Sequence, residues 1–144
     1  TRWWWVERVW LGVCVCMMRP AHTARHVDAV GCYLQDRASQ LYRHRIVGDI
    51  RSKGLMLGAE LVRDRETHEP FPATAGAARK LNNAMLKRGL SASTTSAIAN
   101  WVDGDDLRLY PPLIITRQEL DQSINIIDDA LEELESELRN SGQL

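Results

Sequence analysis

Arg108 is the residue whose type and position in this sequence point most directly to chemistry. It lies between Leu107 and Leu109 in a short apolar stretch that predicts a β-strand. Since side chains alternate along a strand, Arg108 and Tyr110 are expected on the face opposite to the two leucines. A guanidinium can hold a carboxylate through two parallel hydrogen bonds, which a lysine cannot do. Arg108 is therefore a candidate carboxylate-binding residue, although its position alone favours an ion pair with a nearby acid.

A second group of candidate residues has the side-chain types that bind zinc. Cys14 and Cys16 are followed by His22 and His26, and thiolates and imidazoles are common zinc ligands. Only five residues, 17–21, separate the two pairs, which is far fewer than in a zinc finger. A chance grouping is the better interpretation, and a small zinc domain is kept as a weak alternative.

The end of the chain carries a cluster of acidic residues, and paired carboxylates can do acid–base work. The cluster consists of Asp128, Asp129, Glu132, Glu133, Glu135 and Glu137. These acids alternate with apolar residues at helical spacing, so we expect them on the exposed side of a helix. The plain interpretation is a solvated face without a catalytic role. The sequence also contains no phosphate-binding glycine loop and no nucleophile elbow.

Length, composition and charge indicate one small domain in a reducing compartment. The chain has 144 residues, of which 44% are hydrophobic, and its net charge is −1. Without a basic stripe, nucleic acid and anionic membranes are not expected as partners. Three cysteines are too few for a disulfide scaffold. The apolar stretch 9–18 is too short to span a bilayer and precedes no cleavage site, so we expect a cytoplasmic location.

The spacing of apolar residues predicts the elements that position these side chains. Helices are predicted over residues 23–41, 77–88 and 120–138. Strands are predicted over residues 46–50, 55–62, 90–95 and 107–110. Gly54 predicts a turn, Gly89 a helix end, and Thr116 with Glu119 a capping box before the last helix. This order of elements predicts an α+β fold, with a small, mostly antiparallel sheet and helices packed on one face.

The first residues of the chain differ in composition from all the others. Four of the five tryptophans are Trp3, Trp4, Trp5 and Trp10. The surrounding run has neither a helical period nor strict alternation. We therefore separate an atypical segment, residues 1–24, from a domain formed by residues 25–144. A shifted reading frame or a mis-set gene start is our hypothesis for this segment, which would then be non-native sequence.

Two motifs, taken together, resemble a known family. Residues 47–61, VGDIRSKGLMLGAEL, are similar to the signature GDVRGKGLMLGIEL, and residues 107–116, LRLYPPLIIT, are similar to R-x-x-PPLIIT. Both signatures belong to the C-terminal small domain of class III pyridoxal-phosphate-dependent aminotransferases, which have fold type I. Their order and the helix between them also agree with that family. The resemblance extends from about His26 to Leu138.

This resemblance implies a parent protein that moves an amino group between an amino donor and a 2-oxo acid, as a homodimer. Pyridoxal 5′-phosphate is then bound mainly by a large domain, on a lysine. None of Lys53, Lys80 and Lys87 matches the family's cofactor-lysine motif. The cofactor lysine is therefore expected upstream of this sequence, and the isolated chain is expected to be inactive. Arg108 matches the position at which ornithine- and acetylornithine-type members bind the substrate's α-carboxylate.

One departure from the family leaves the amino donor open. Amine-type and ω-amino-acid-type members often carry an arginine just after the RGL that ends the middle helix. Here Arg88-Gly89-Leu90 is followed by Ser91, Ala92 and Ser93.

A stand-alone binding or dimerisation module without catalysis is the alternative hypothesis, with the Trp-rich segment as its contact surface.

Overall fold

A computed structural model describes residues 20–98 and 102–144 of this chain. The described residues form three α-helices, α1 (Pro20–Ala38), α2 (Ala77–Lys87) and α3 (Arg117–Asn140). They also form five strands, β1 (Val47–Lys53), β2 (Met56–Asp64), β3 (Glu69–Pro70), β4 (Ser93–Ser96) and β5 (Asp105–Leu109). Two short 3-10 helices, Ser39–Arg43 and Ala73–Ala75, follow α1 and precede α2.

The sheet is antiparallel throughout the described residues. Its strand order is β1-β2-β5-β4, and the short β3 pairs with the far end of β2. β2 is therefore central, with β1 on one side and β5 on the other. The helices contact one another and the sheet from the same side, since α2 and α3 share one hydrophobic core with the inner residues of β2 and β5. The predicted α+β fold is confirmed.

Alternation along the central strands separates a buried face of the sheet from an open one. Leu57, Ala59 and Leu61 of β2 and Leu107 and Leu109 of β5 are all buried under the helices. Residues between them therefore lie on the opposite face, which no described helix covers. Burying these side chains supplies the hydrophobic free energy that holds the sheet against the helices.

The long helix α3 has the sequence features that predicted it. The Thr116 hydroxyl accepts a hydrogen bond from the Glu119 N–H at 3.2 Å, and the Glu119 carboxylate accepts one from the Thr116 N–H at 2.8 Å. This reciprocal pair is a capping box and fixes the start of the helix. The predicted apolar stripe is buried in full: Leu120, Ile124, Ile127, Leu131, Leu134 and Leu138.

Glycines end the second helix and close the first hairpin where the sequence predicted them. Gly89 follows α2 with φ of 85°, and the next N–H, of Leu90, donates to the Met85 carbonyl at 3.0 Å. This is the Schellman arrangement, which favours glycine because its φ is positive. Gly54, with φ of 56°, forms the turn between β1 and β2.

Several details of the predicted elements were inaccurate, including the bounds of β1 and β5, which differ from the predicted residues 46–50 and 107–110. The charged stretch 63–70 follows the predicted strand 55–62 and was assigned to no element, but it contains the end of β2 and the whole of β3. The fourth strand begins at Ser93, three residues later than predicted, because the Schellman turn after α2 occupies Leu90. The first helix begins at Pro20, earlier than predicted.

Within the described ranges, no helix is both long and apolar enough to cross a membrane.

Candidate functional site

The open face of the sheet contains a groove, which is the candidate functional site. Its volume is about 440 Å³, and side chains of β1, β2 and β5 form its floor. Arg51 and Lys53 come from β1, Glu60 from β2 and Arg108 from β5. We call it the sheet groove below. This open surface carries charged side chains of both signs. It is therefore suited to a polar ligand and not to packing against another apolar layer.

The strand register arranges the charged residues of the sheet groove in two rows across the sheet. Arg51 on β1 and Arg108 on β5 both pair with Gly58 on β2, so the two arginines flank a residue without a side chain. A Cβ at Gly58 would meet nothing within 4 Å, so this position is open space. The neighbouring row is acidic: Asp49, Glu60 and Asp106. The sheet groove therefore has a basic row beside an acidic row.

Arg108 faces the sheet groove, as its position between two leucines predicted. Its side chain is 39% exposed, whereas Leu107 and Leu109 are buried. Its Nε and Nη2 both lie 2.6 Å from Oδ2 of Asp106. This hydrogen-bonded carboxylate raises the pKa of Arg108, so the guanidinium stays charged. An ion pair with a nearby acid is thus present, and the carboxylate-binding role of Arg108 stays a prediction.

Asp106 was not among the residues singled out from the sequence. Its side chain is only 13% exposed, and its Oδ1 accepts a hydrogen bond from the backbone N–H of Thr95 on β4 at 3.1 Å. The contact to a neighbouring strand holds Asp106 more firmly than Arg108 is held. A signal was available in the sequence, since residues two apart on a strand share a face and Asp106 precedes Arg108 by two.

The same arrangement occurs on the other side of β2. Arg51 donates from Nε to Oδ2 of Asp49 at 2.6 Å, again two residues earlier on the same strand. That hydrogen bond from Arg51 is the main reason why the pKa of Asp49 is below its usual value. Tyr42 adds a hydroxyl that accepts a hydrogen bond from the Ile50 N–H at 2.9 Å. Arg51 differs from Arg108 in exposure, because 84% of its side chain is open to solvent.

The acidic cluster of the last helix is only in part the solvated face that the sequence predicted. Asp128 and Glu135 are 17% and 15% exposed, because the turn after α1 covers them. The buried His44 has Nε2 at 2.9 Å from Oδ1 of Asp128, and Arg43 donates to the same carboxylate. Glu135 accepts a hydrogen bond from the Ile46 N–H at 3.3 Å. These two acids tie the turn to α3, and they lie on the helical side of the sheet, away from the sheet groove.

Only one of the four candidate zinc ligands, His26, has a described side chain, so the zinc hypothesis stays a prediction. His26 has Nε2 at 3.1 Å from the Ile115 carbonyl, which links α1 to the loop before α3. Cys14, Cys16 and the His22 side chain lie outside the described residues. Among the residues that are described, no group of three His, Cys, Asp or Glu side chains has the geometry of a metal site.

Comparison with known proteins identifies the family. A statistical model of the family described as aminotransferase class-III matches residues 15–131. The chain belongs to the class III aminotransferases. The resemblance found in the two motifs is therefore confirmed, and the antiparallel sheet with helices on one face corresponds to the C-terminal small domain of these enzymes.

Relatives of this class III chain include both transaminases and an epimerase. Isoleucine 2-epimerase of Lentilactobacillus buchneri is 36% identical over 107 residues, which cover 74% of this chain and 22% of that protein. Probable gamma-aminobutyrate transaminase 3, mitochondrial, of Oryza sativa subsp. indica is 33% identical over 113 residues, which cover 78% of this chain and 21% of that protein. The chain spans about a fifth of the length of these relatives.

A solved structure likewise matches most of this chain over only a quarter of its own length. An (S)-enantioselective omega-transaminase from Thermomicrobium roseum matches with a TM-score of 0.71 and 29% identity, over 83% of this chain and 25% of that one. The family match begins at residue 15 and α1 at Pro20, so both begin before the predicted boundary between residues 24 and 25. That boundary, and the hypothesis of a non-native segment in 1–24, stay predictions.

The lysines of this class III chain do not fit the role of the cofactor lysine. An amine that forms a Schiff base is activated by a desolvated site. Lys53 is exposed at the end of β1, and Lys80 is half-buried on α2. Lys87 is 71% exposed and lies 3.7 Å from Glu133. None of the three lysines is fully buried, and a position of the cofactor lysine upstream of this sequence stays a prediction.

Proposed function

We propose that this chain is the C-terminal part of a pyridoxal-phosphate-dependent transaminase, which moves an amino group between an amino donor and a 2-oxo acid. Membership of the class III aminotransferases supports this reaction class. The observation that carries the proposal is Arg108, which lies in the sheet groove and is separated by two residues from the PPLIIT segment. The 2-oxo acid of such a reaction bears a carboxylate, as amino-acid donors do, and a guanidinium in an open groove is suited to bind it.

Arg108 in this proposal holds the substrate carboxylate and thereby orients the amino group. Asp106 contacts only the Nε and Nη2 donors of the guanidinium. The Tyr110 side chain also interacts with this guanidinium. Donors on Nη1 are not used by the ion pair with Asp106, so a ligand carboxylate can bind there without breaking that pair. Arg51 and Lys53 add positive charge to the sheet groove, and the carboxylates of the acidic row offset it, so Arg108 is the residue proposed to select a carboxylate.

Pyridoxal 5′-phosphate, when bound, supplies the electron sink for the reaction. The chain's own lysines do not fit its attachment, so we propose that a large domain holds it. The 144-residue chain is then inactive alone, and the parent is a cytoplasmic homodimer. To test the first point, the chain would be incubated with pyridoxal phosphate, reduced with borohydride and weighed by mass spectrometry. We expect no adduct, and a stoichiometric adduct on Lys53, Lys80 or Lys87 would refute the claim.

The role of Arg108 is tested with Arg108→Lys in a full-length parent that carries this domain. A lysine keeps the charge but loses the planar fork, so we expect kcat/KM to fall by about tenfold or more for amino donors that have a carboxylate. Donors without a carboxylate should be affected by less than about twofold. Arg51→Lys, on the opposite side of Gly58, is the matched control. Equal losses for both donor classes would show that Arg108 has only a structural role.

Epimerisation of an amino acid is a second candidate function. Its support is the isoleucine 2-epimerase of L. buchneri, at 36% identity. Epimerisation keeps the amino group on its carbon and inverts the configuration there by removing and returning the Cα proton, so it needs no 2-oxo acid, whereas transamination requires one. The parent would be incubated with a single L-amino acid, with and without a 2-oxo acid, and its products separated by chiral chromatography. Inversion in the absence of the 2-oxo acid favours the second candidate, and product formation only in its presence favours the first.

A further inference from the structure

The ion pair between Arg108 and Asp106 is built into the sheet groove. Both Nε and Nη2 of Arg108 approach one oxygen of Asp106, at 2.6 Å. The other oxygen of Asp106 accepts the Thr95 N–H at 3.1 Å. Asp106 is also three times less exposed than Arg108, at 13% against 39%. The aspartate is therefore the fixed member of the pair, and the arginine is the member that a ligand can reach.

This geometry places a negative charge beside any carboxylate that Arg108 binds. The ligand would be attracted by the guanidinium and repelled by the Asp106 carboxylate, which lies within hydrogen-bond distance of that guanidinium. A ligand without a carboxylate meets no such penalty. When such an uncharged ligand binds, Arg108 keeps a hydrogen-bond partner, since Asp106 already accepts from its Nε and Nη2.

We propose that Asp106 is a specificity-determining residue, a fixed counter-ion of Arg108 that weakens the binding of carboxylate ligands and lets the sheet groove accept uncharged ones. This inference rests on the proposed carboxylate-binding role of Arg108. It extends that role by naming the residue that tunes it.

Asp49 provides a matched control within the same groove. It pairs with Arg51 at 2.6 Å from the same sequence separation, and it occupies the same cross-strand row as Asp106. Asp49→Asn removes one negative charge from the groove, as Asp106→Asn does, but it leaves the counter-ion of Arg108 in place. A difference between the two variants therefore separates a local effect on Arg108 from a general change in charge.

The test uses the 144-residue chain with butyrate as the carboxylate probe and butyramide as its uncharged analogue. Binding is followed by NMR through the Nε–Hε signals of the arginines and through the backbone N–H of Gly58, which every variant keeps, with Arg108→Lys to assign the signal of Arg108. We expect Asp106→Asn to lower the dissociation constant of butyrate by about threefold to fivefold, and Asp49→Asn by less than about twofold. Neither variant should change the binding of butyramide. Asp106→Glu restores the negative charge and should return the butyrate affinity toward that of the original chain.

The outcomes separate this inference from the proposed function. If Arg108→Lys binds butyrate as well as the original chain does, Arg108 is not a carboxylate anchor and both proposals fail. A second outcome is that Arg108→Lys weakens butyrate binding but Asp106→Asn does not strengthen it, or strengthens it no more than Asp49→Asn does. In that case only the inference about Asp106 is overturned. Should Asp106→Asn not fold, Asp106→Thr removes the same charge with a side chain suited to a strand, and the same outcomes apply.

Discussion

Gly31 is the position at which the packing of the first helix predicts the sharpest loss of stability. It lies on α1 directly against the turn between β1 and β2. A Cβ built on Gly31 would lie 2.7 Å from the carbonyl oxygen of Gly54 and 2.8 Å from its Cα. These are backbone atoms, so no flexible side chain can move aside. Gly31→Ala must therefore push α1 and the turn apart.

The expected magnitude follows from two opposing effects. Overpacking of a well-packed contact costs about 1–3 kcal/mol. Alanine in place of glycine in a helix returns about 1 kcal/mol, because the unfolded chain loses less entropy on folding. Since the contact at Gly31 involves backbone on both sides, we take the upper part of the first range. The variant should lose about 1–2 kcal/mol of its free energy of unfolding.

Gly58→Ala is the matched control, because it makes the same chemical change where there is room. A Cβ there meets nothing within 4 Å, and the residue lies in regular strand. Alanine should leave stability unchanged or raise it by up to about 1 kcal/mol. Both variants would be unfolded in urea and followed by far-UV circular dichroism. If Gly31→Ala is as stable as the original chain, or if the two variants shift alike, the close approach of α1 to Gly54 is refuted.

Two further predictions concern the last helix. Thr116→Ala removes the capping box and should cost about 1 kcal/mol in urea unfolding, whereas Ser123→Ala, whose hydroxyl bonds only the carbonyl one turn earlier, should change little. The pKa of Asp121 is held below its usual value, first by the Tyr33 hydroxyl and then by Arg37. The unfolded chain therefore binds the proton of Asp121 more readily than the folded chain does. The ionised Asp121 stabilises the fold above the ordinary carboxyl pKa of about 3.9, and this stabilisation is lost as the pH falls below that value. Asp121→Asn should thus show a smaller loss of stability between about pH 6 and pH 3 than the original chain, and an equal loss would contradict the assigned cause.

The elements that could be predicted from sequence are those fixed by local patterns. The capping box at Thr116 and the apolar spacing behind it lie on one segment, so they needed no knowledge of the partner that α3 packs against. Gly54 and Gly89 likewise need a positive φ, which is a local property. The face of the sheet on which Arg108 lies could also be predicted, because side chains alternate along a single strand.

What could not be predicted depends on contacts between distant segments. Asp128 and Glu135 looked solvated because their helix face is polar in sequence, yet the turn that contains His44 folds over them. The two-residue strand β3 exists only through its pairing with β2. Asp106 was missed for a different reason: its spacing from Arg108 was visible, but nothing in the sequence showed that Thr95 would fix it.

The register of the sheet explains why the two family motifs belong to one site. Asp49 and Arg51 come from the first motif on β1, and Arg108 comes from the second on β5. β1 and β5 both run antiparallel to β2, so they are parallel to each other, and their Asp-x-Arg triplets meet β2 at the same two residues, Glu60 and Gly58. Each arginine therefore carries its own aspartate, and the glycine between them keeps the floor of the groove free of side chains. An extra side chain at Gly58 would separate the two guanidiniums without disturbing the core, so the position bears on ligand access more than on folding.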